Sequence, residues 1–554
     1  MIKDPPVVAT QPPPTPPPDA HRSRPGSEPA RSAIQRLLIR FVLALFAATC
    51  FFGRQIAAII GDENRFFMYW EHEHGIVLVL IIMALALLAV GIDAALSTSR
   101  RLRGLRQCYR YLYLIALVTP IVPYAIPYIP KIRHSPYNSE LTWALLVAGV
   151  ALFAWRRRDR ALQTARSVAL TFSALVPILF YQLLTASTYR IAPEHPHWDR
   201  PASARSRPIF LVLLDEWSYA RSTENGQFLP SLVHVRELAD QAFVFREAQS
   251  EAPYTKRSLP KILYQTDLPM VLRGGKTYFA DGPALTPTAT SPNLFTRARE
   301  HGYNTALIGF YLPYRFLLGD SVDYCQSISL FPVERGPLAM VWWNVENNWR
   351  FAQDPISFRL KARAIESRGW RFVEMEQFVH SQALQLIQEC PRNTFAFIHE
   401  VGARPPFTYS AEAVRRGELD DDPQDYRQQV AHLDERLGEI LTGLRAAGKF
   451  DDALIIVMAD HAWRDDPDPN TRQMPGWVYH VPLLIKWPGQ KTSHVIDRPF
   501  SLIQLHSLID LASEGGSEQA ALQTLRTLPL PTPKNEPMAD RIVIPHLTDP
   551  LPKQ

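Results

Sequence analysis

The stretch "HLDERLGEILTGLRAAGKFDDALIIVMADHA" spans residues 432–462, and its periodicity changes halfway along. Before Gly448 the apolar residues return every three or four positions. With Val430 just upstream, Leu433, Leu437, Ile440, Leu441 and Leu444 fall on one face of a helix predicted over residues 425–449. Gly448 suits the end of that helix, because glycine tolerates the left-handed conformation in which helices commonly stop. From Ala453 to Ala459 every residue is apolar and nothing alternates, the pattern of a strand buried on both faces of a parallel sheet. That strand ends on Asp460 and His461.

The same pattern occurs upstream. "RPIFLVLLDEW" starts at Arg207, runs apolar from Ile209 to Leu214, and ends on Asp215 and Glu216. Between the two lie further candidate strands, "NTALIGFYL" (304–312) and "TFAFIHEV" (394–401), separated by helical patterns. Alternating strands and helices predict an α/β domain with a mostly parallel central sheet. Ligands of such sheets bind at the carboxyl ends of the strands. An acid after a strand is by itself a common turn former. Two strands ending in Asp-Glu and Asp-His, however, bring together the carboxylates and imidazole that a divalent metal needs.

A hydroxyl-bearing loop lies between them, "SEAPYTKRSLPKIL" (250–263). On one reading it is a turn into a helix, with Ser258 as N-cap and Pro260 in the first turn. On the other, Thr255 is a nucleophile at a helix start, in a site that handles anions. Lys256 and Arg257 would favour an anion there, or they are solvated surface charge.

The N-terminal part is of a different kind. Residues 1–32 are rich in Pro, Ser and Arg and offer little to bury, as expected of a disordered tail. Residues 33–187 hold five apolar stretches, at 37–53, 76–96, 109–129, 141–155 and 168–186. Such lengths approach the roughly 20 residues that cross a bilayer. Arginines cluster before the first stretch, at 100–106 and at 156–166, while the other loops are acidic or mixed. Positive loops stay cytoplasmic. Five spans satisfy that rule, with the N-terminus inside and the rest of the chain exported: a linker at 188–207, a domain at 208–513 and a Pro-rich tail at 514–554. The net charge of +5 therefore reflects topology, and no nucleic-acid partner is expected. Cys325 and Cys390 fall in the exported part, where an oxidising compartment would allow them to pair. No Cys-x-x-Cys spacing occurs, so a metal would use oxygen and histidine ligands.

These segments, in this order, resemble the alkaline phosphatase/sulfatase superfamily. "IFLVLLDEW" resembles its first metal-binding strand, "HGYNTALIG" (301–309) its Gly-Tyr-x-Thr strand entry, and "HVPLLIKWPG" (480–489) its closing strand. Residues 432–462 resemble its long helix and Asp-His strand. Sulfatases carry Cys or Ser in Cys/Ser-x-Pro-x-Arg, and this chain has Thr255 there, with Arg257 in place of the proline. "TKRSLP" is instead similar to the Thr-x-x-Ser-x-Pro of membrane-bound phosphoethanolamine transferases. Those proteins, and the related lipoteichoic acid synthases, also place five helices before an exported catalytic domain.

The resemblance implies Thr255 as the nucleophile, and Glu216 or the adjacent Asp215, Asp460 and His461 as ligands of a divalent metal, zinc with manganese or magnesium as alternatives. It implies His480 on the substrate side. Where the family has a histidine in the loop "GARPPFTY" (402–409), this chain has Arg404. His399 would substitute, or Arg404 would bind phosphate directly, or His399 is structural. The implied activity is transfer of a phospho-substituent from a phospholipid donor to an envelope glycan or glycolipid, at a bacterial inner membrane with the catalytic domain periplasmic. Hydrolysis on the same fold and a non-catalytic membrane interaction protein are the competing expectations.

Overall fold

The computed structural model describes residues 33–109 and 195–534 with internal gaps, and residues 158–185. Eight strands form the central sheet: β1 (Ile209–Leu214), β2 (Phe243–Phe245), β3 (Asn304–Phe310), β4 (Tyr324–Ile328), β5 (Thr394–Glu400), β6 (Leu454–Met458), β7 (Leu483–Lys486) and β8 (His494–Ile496). Their order across the sheet is β4-β3-β5-β1-β6-β7-β2-β8. The run from β4 to β6 is parallel, and β7 turns antiparallel to both β6 and β2. The apolar runs at 209–214, 304–310, 394–400 and 454–458 are thus strands, buried along their whole length. β1 lies between β5 and β6, with Leu213 opposite His399 on one side and Met458 on the other. The chemistry-bearing residues that follow these three strands therefore emerge together.

Helix α6 (Phe358–Glu389) packs across β3, β4 and β5, and α7 (Pro423–Ala446) packs against α6. α7 opens on Pro423, whose missing N–H costs nothing at a first helical position. Its predicted face is buried: Val430, Leu433, Leu437, Ile440, Leu441 and Leu444 all belong to the core. Gly448 has φ +63°, the left-handed stop anticipated from the sequence.

The N-terminal part contributes α1 (Ala33–Phe51), α2 (His72–Ser97), α3 (Arg158–Phe172) and α4 (Val176–Thr185). Among the described residues, three helical segments are long and apolar enough to cross a membrane: 34–51, 72–97 and 166–185. The stretches at 109–129 and 141–155 lie outside the described residues, so three candidate spans stand where the sequence predicts five. The last turn of α4 and the first of α2 meet, with His72 Nδ1 2.5 Å from the Leu184 carbonyl oxygen. Phe52, Ile56, Leu78, Ile82 and Leu183 form a separate apolar cluster there, and Phe331 of the sheet domain packs against it.

Candidate active site

Thr255 is the first residue of α5 (Thr255–Tyr264), a helix whose N-cap is Tyr254, ahead of the Ser258 cap expected from the sequence. The N–H groups of Arg257 and Ser258 donate to the Tyr254 carbonyl, 2.9 and 2.8 Å away, and close the first turn. The Ser258 hydroxyl does not cap. Buried inside the helix, it donates to the Asp460 carbonyl at 2.7 Å and ties α5 to the end of β6. That bond fixes the threonine against the Asp-His pair.

Among the described residues, the side chains of Asp215, Asp460 and His461 converge with ligand atoms within 4.8 Å of one another, all buried. Thr255 Oγ1 donates to Asp215 Oδ1 at 3.0 Å and lies 3.2 Å from His461 Nε2. His461 Nδ1 donates to the Ala462 carbonyl at 2.9 Å, so its proton is on Nδ1 and the Nε2 lone pair faces the cluster. Asp460 Oδ1 accepts the Glu216 N–H at 3.1 Å, and its Oδ2 is buried with no hydrogen-bond partner among the described residues. Burial and the neighbouring Asp460 carboxylate push Asp215 up to about 7, against the pull of Arg404. Burial raises Asp460 and lowers His461. Two destabilised carboxylates, an unpaired oxygen and a neutral imidazole nitrogen are a donor set that fits a divalent cation.

Glu216 is directed elsewhere. Its backbone sits at φ +63°, unusual for a residue with a side chain, and turns the carboxylate away from Asp215. Arg464 grips it, with Nε 2.7 Å from Oε1 and NH2 3.4 Å from Oε2. Burial pushes Glu216 up, but the Arg464 guanidinium holds it below the usual carboxylate range. Asp215 therefore stands in the ligand cluster where the resemblance put Glu216 first. The sequence reading missed Arg464, although its position four residues after Asp460, in a loop facing β1, is the signal available.

The loop after β5 presses on the same place. A Cβ at Gly402 would lie 1.6 Å from the Asp215 carbonyl oxygen, so only glycine allows the two backbones to approach this closely. The Ala403 N–H donates to that oxygen at 2.7 Å. Arg404 then reaches Asp215 Oδ2 at 3.4 Å, with its guanidinium over the rings of Tyr311 and Phe372. His399 is buried, 2.5 Å from the Tyr314 hydroxyl through Nδ1 and packed on Phe310. Burial, then the charge of Arg404, hold it well below the usual histidine range, so it is neutral.

His480 bonds away from the cluster: its Nε2 donates to the Arg246 carbonyl at 2.7 Å, and its ring stacks on Tyr219. Lys256 is half-buried and Arg257 exposed, next to the threonine in sequence. Cys325 and Cys390 are both buried and not joined by a disulfide, and Cys390 Sγ accepts from Lys449 at 3.4 Å.

The loop that carries Thr255 is braced from the far end of the chain. Glu251 is buried, accepts the Ser501 hydroxyl, and is met by Lys534 Nζ at 2.5 Å. The segment leading to Lys534 is itself pinned, since Gln504 donates to the Pro529 carbonyl at 2.7 Å.

Among proteins of known identity, this chain is 27% identical over 107 residues to the inner membrane protein YejM of Salmonella typhimurium. The match covers 19% of this chain and 18% of YejM, so the chain spans about a fifth of that relative's length. Among solved structures it is similar to the phosphonate monoester hydrolase of Agrobacterium radiobacter (15% identity, 56% and 74% of the two chains, TM-score 0.36). It is also similar to the lipoteichoic acid synthase LtaP of Listeria monocytogenes (14% identity, 57% and 73% of the two chains, TM-score 0.36). The sulfatase family model matches residues 207–513, more than half of the chain and the whole of the eight-stranded sheet with its Asp-Asp-His cluster, and the chain belongs to the sulfatase family.

Proposed function

We propose that this protein is a membrane-anchored transferase that moves a phospho-substituent from a phospholipid to a hydroxyl of an envelope glycan or glycolipid, through a phosphorylated Thr255. The observation that carries the reading is the threonine hydroxyl itself. It is buried at a helix start, 3.0 Å from Asp215 and 3.2 Å from the neutral nitrogen of His461. Threonine also argues against sulfate-ester chemistry of the formylglycine kind, because a Cβ that carries a methyl group cannot be oxidised to an aldehyde.

Asp215, Asp460, His461 and Thr255 would hold a divalent ion, zinc on this donor set, which when bound lowers the hydroxyl's pKa and neutralises phosphoryl charge. The remaining work falls to the chain. Asp215 accepts the Thr255 hydrogen bond and thereby aims the oxygen. As the bond from Oγ1 to phosphorus forms, the bond from phosphorus to the glycerol oxygen breaks, and the diacylglycerol leaves with a proton. An acceptor hydroxyl then attacks the same phosphorus and frees Thr255. Arg404, held between Tyr311 and Phe372, offers its guanidinium to the phosphoryl oxygens, from the loop position where the resembling proteins have a histidine. The α5 N-terminus adds N–H groups of the same sign.

The enclosing membrane would be the bacterial inner membrane, with the catalytic domain on its periplasmic side and the donor drawn from the adjoining leaflet. The test is mass spectrometry of the full chain after incubation with mixed phospholipids and zinc. The expected result is a head-group mass on Thr255, absent from Thr255→Ala, which folds but does not turn over. Full turnover by Thr255→Ala would remove the threonine from the mechanism. Release of the group to water with no acceptor product would make the protein a hydrolase.

A further inference from the structure

The match to the sulfatase family model ends at residue 513, yet the described chain continues to Lys534 and returns to the loop that carries Thr255. This added stretch holds one helix, α8 (Glu518–Thr527), followed by an irregular segment that is fastened along its length. Arg498 donates to the carbonyls of Leu525 and Leu528. Gln504 donates to that of Pro529 at 2.7 Å.

At its end Lys534 Nζ lies 2.5 Å from Glu251 Oε2, 3.4 Å from the Glu251 carbonyl oxygen and 3.4 Å from Asp267 Oδ1. Glu251 lies just before α5 and Asp267 just after it, so one ammonium joins the entry and the exit of the helix that begins on Thr255. The Glu251 side chain has no exposed surface. Its Oε1 accepts the Ser501 hydroxyl and the Ile503 N–H, so its two oxygens are divided between the 501–504 turn and the lysine. That turn packs against α5. A carboxylate buried in this way depends on its counter-charge, whereas an exposed pair contributes little. Lys491 and Asp451, also 2.5 Å apart but both largely exposed, are a pair of the second kind.

We infer that Lys534 is a positioning residue for Thr255: through buried Glu251 it fixes the approach to α5 and keeps Thr255 Oγ1 3.0 Å from Asp215 and 3.2 Å from His461. The inference rests on the reading of Thr255 as the nucleophile. The Ser250 N–H is fixed on the Tyr479 carbonyl at 2.8 Å, and the Ser258 hydroxyl on the Asp460 carbonyl at 2.7 Å. Between these points Glu251 supplies a third anchor, close to the reacting oxygen in sequence. Displacing a reacting atom by about 1 Å costs up to about 10²-fold in rate, so a brace outside the cluster can govern turnover. Substrate need not touch Lys534 for this, and the effect belongs in kcat rather than KM.

The experiment uses the full chain in detergent micelles with zinc, as wild type, Lys534→Met, Lys534→Arg, Glu251→Gln and Lys491→Met. It reads hydrogen-exchange protection of the peptide containing Arg257 and Ser258, and release of diacylglycerol from phosphatidylethanolamine and phosphatidylglycerol. We expect Lys534→Met to lower protection of that peptide about 10-fold, with β1 and β6 unchanged. Its kcat should fall about 10-fold with KM unaltered. Lys534→Arg keeps the charge and restores both. Glu251→Gln leaves no buried charge unpaired, so it tests the brace without endangering the fold, and it should show the same two losses. Lys491→Met should change neither. Unaltered protection around Arg257 in Lys534→Met and Glu251→Gln overturns the inference. So does a loss shared by β1 and β6, a kcat that stays at the wild-type value when protection is lost, or failure of Lys534→Arg to rescue. A wild type that releases no diacylglycerol removes the transferase reading instead, and protection alone then decides whether Lys534 holds the threonine loop.

Discussion

The loops after β5 and β6 flank β1 symmetrically, and each sends an arginine to one of the two acids at its end. They do so with different grips. Arg464, from the β6 side, takes Glu216 with two guanidinium nitrogens, the shorter contact 2.7 Å, and its own N–H adds a third contact at 3.3 Å. Arg404, from the β5 side, makes one contact of 3.4 Å with Asp215 and rests mostly on aromatic faces. Two adjacent carboxylates thereby take on separate tasks. Glu216 is consumed by a structural ion pair, while Asp215 stays available to a hydroxyl and a cation. The distribution of arginines, rather than the acids themselves, decides which carboxylate is left to the Asp-Asp-His cluster.

The sharpest way to break this division is to exchange the acids one at a time. Asp215→Asn removes a ligand and the hydrogen-bond acceptor of Thr255, and we expect turnover to fall by about 10³-fold at saturating zinc. Glu216→Gln keeps the cluster, so its turnover stays within the same order as wild type. Steady-state rates of the two variants side by side make the comparison, and equal losses would erase it.

The arginines give the next contrast. Arg464→Met leaves Glu216 buried and unpaired, which costs about 3 kcal/mol of stability, measured by denaturant unfolding of the detergent-solubilised chain. Arg404→Met loses far less stability, because methionine packs against Tyr311 and Phe372 and Asp215 keeps its other partners. Its cost is in rate, about 10²-fold on an anionic substrate. A stability loss at Arg404 equal to that at Arg464 would contradict the difference in grip.

The smallest effect lies behind the β5 loop and reads its attachment. Thr408 donates to Glu376 at 2.9 Å, and His432 and Arg436 approach the same carboxylate. The hydrogen bond to Glu376 raises His432 above its usual 6.5. Burial pushes Glu376 up, but His432 holds it below its usual 4.5. A raised histidine contributes stability that is complete below its unfolded value and lost as pH climbs through its folded one. A lowered glutamate contributes stability that is present above its unfolded value and lost as pH falls through its folded one. The β5 loop should therefore be held best between pH 4.5 and 6.5 and loosen above that window. Hydrogen-exchange protection of the peptide around Thr408, corrected for base-catalysed intrinsic exchange, should fall at alkaline pH in wild type and stay level in His432→Phe, which would verify the sign.

Much of this architecture was legible from short-range pattern. The Ile209–Leu214 run has the same bounds in sequence and structure, because a strand covered on both faces needs nothing but apolar residues. The helix face from Val430 to Leu444 followed from its period, and the Asp460–His461 pair from its position after a strand. What escaped was set by partners distant in sequence. The pairing of Arg464 with Glu216 spans 248 positions and depends on a left-handed turn that no local pattern announces. Ser258 has the sequence of a cap, yet its hydroxyl serves Asp460 202 positions away. His480 follows the family's spacing, while a tyrosine ring and a carbonyl, both far from it in sequence, engage its imidazole.

The brace between Glu251 and Lys534 bears on how the protein is made. On the proposed topology, a chain exported during synthesis would deliver the Thr255 loop across the membrane well before Lys534 leaves the ribosome. Until that lysine arrives, the loop carries a buried-to-be carboxylate without its counter-charge. Completion of the brace thus waits for Lys534, the last described residue, so a nascent or C-terminally clipped chain leaves the Thr255 loop unbraced. On the proposed reading, translation order itself would guard the donor lipid until the enzyme is whole.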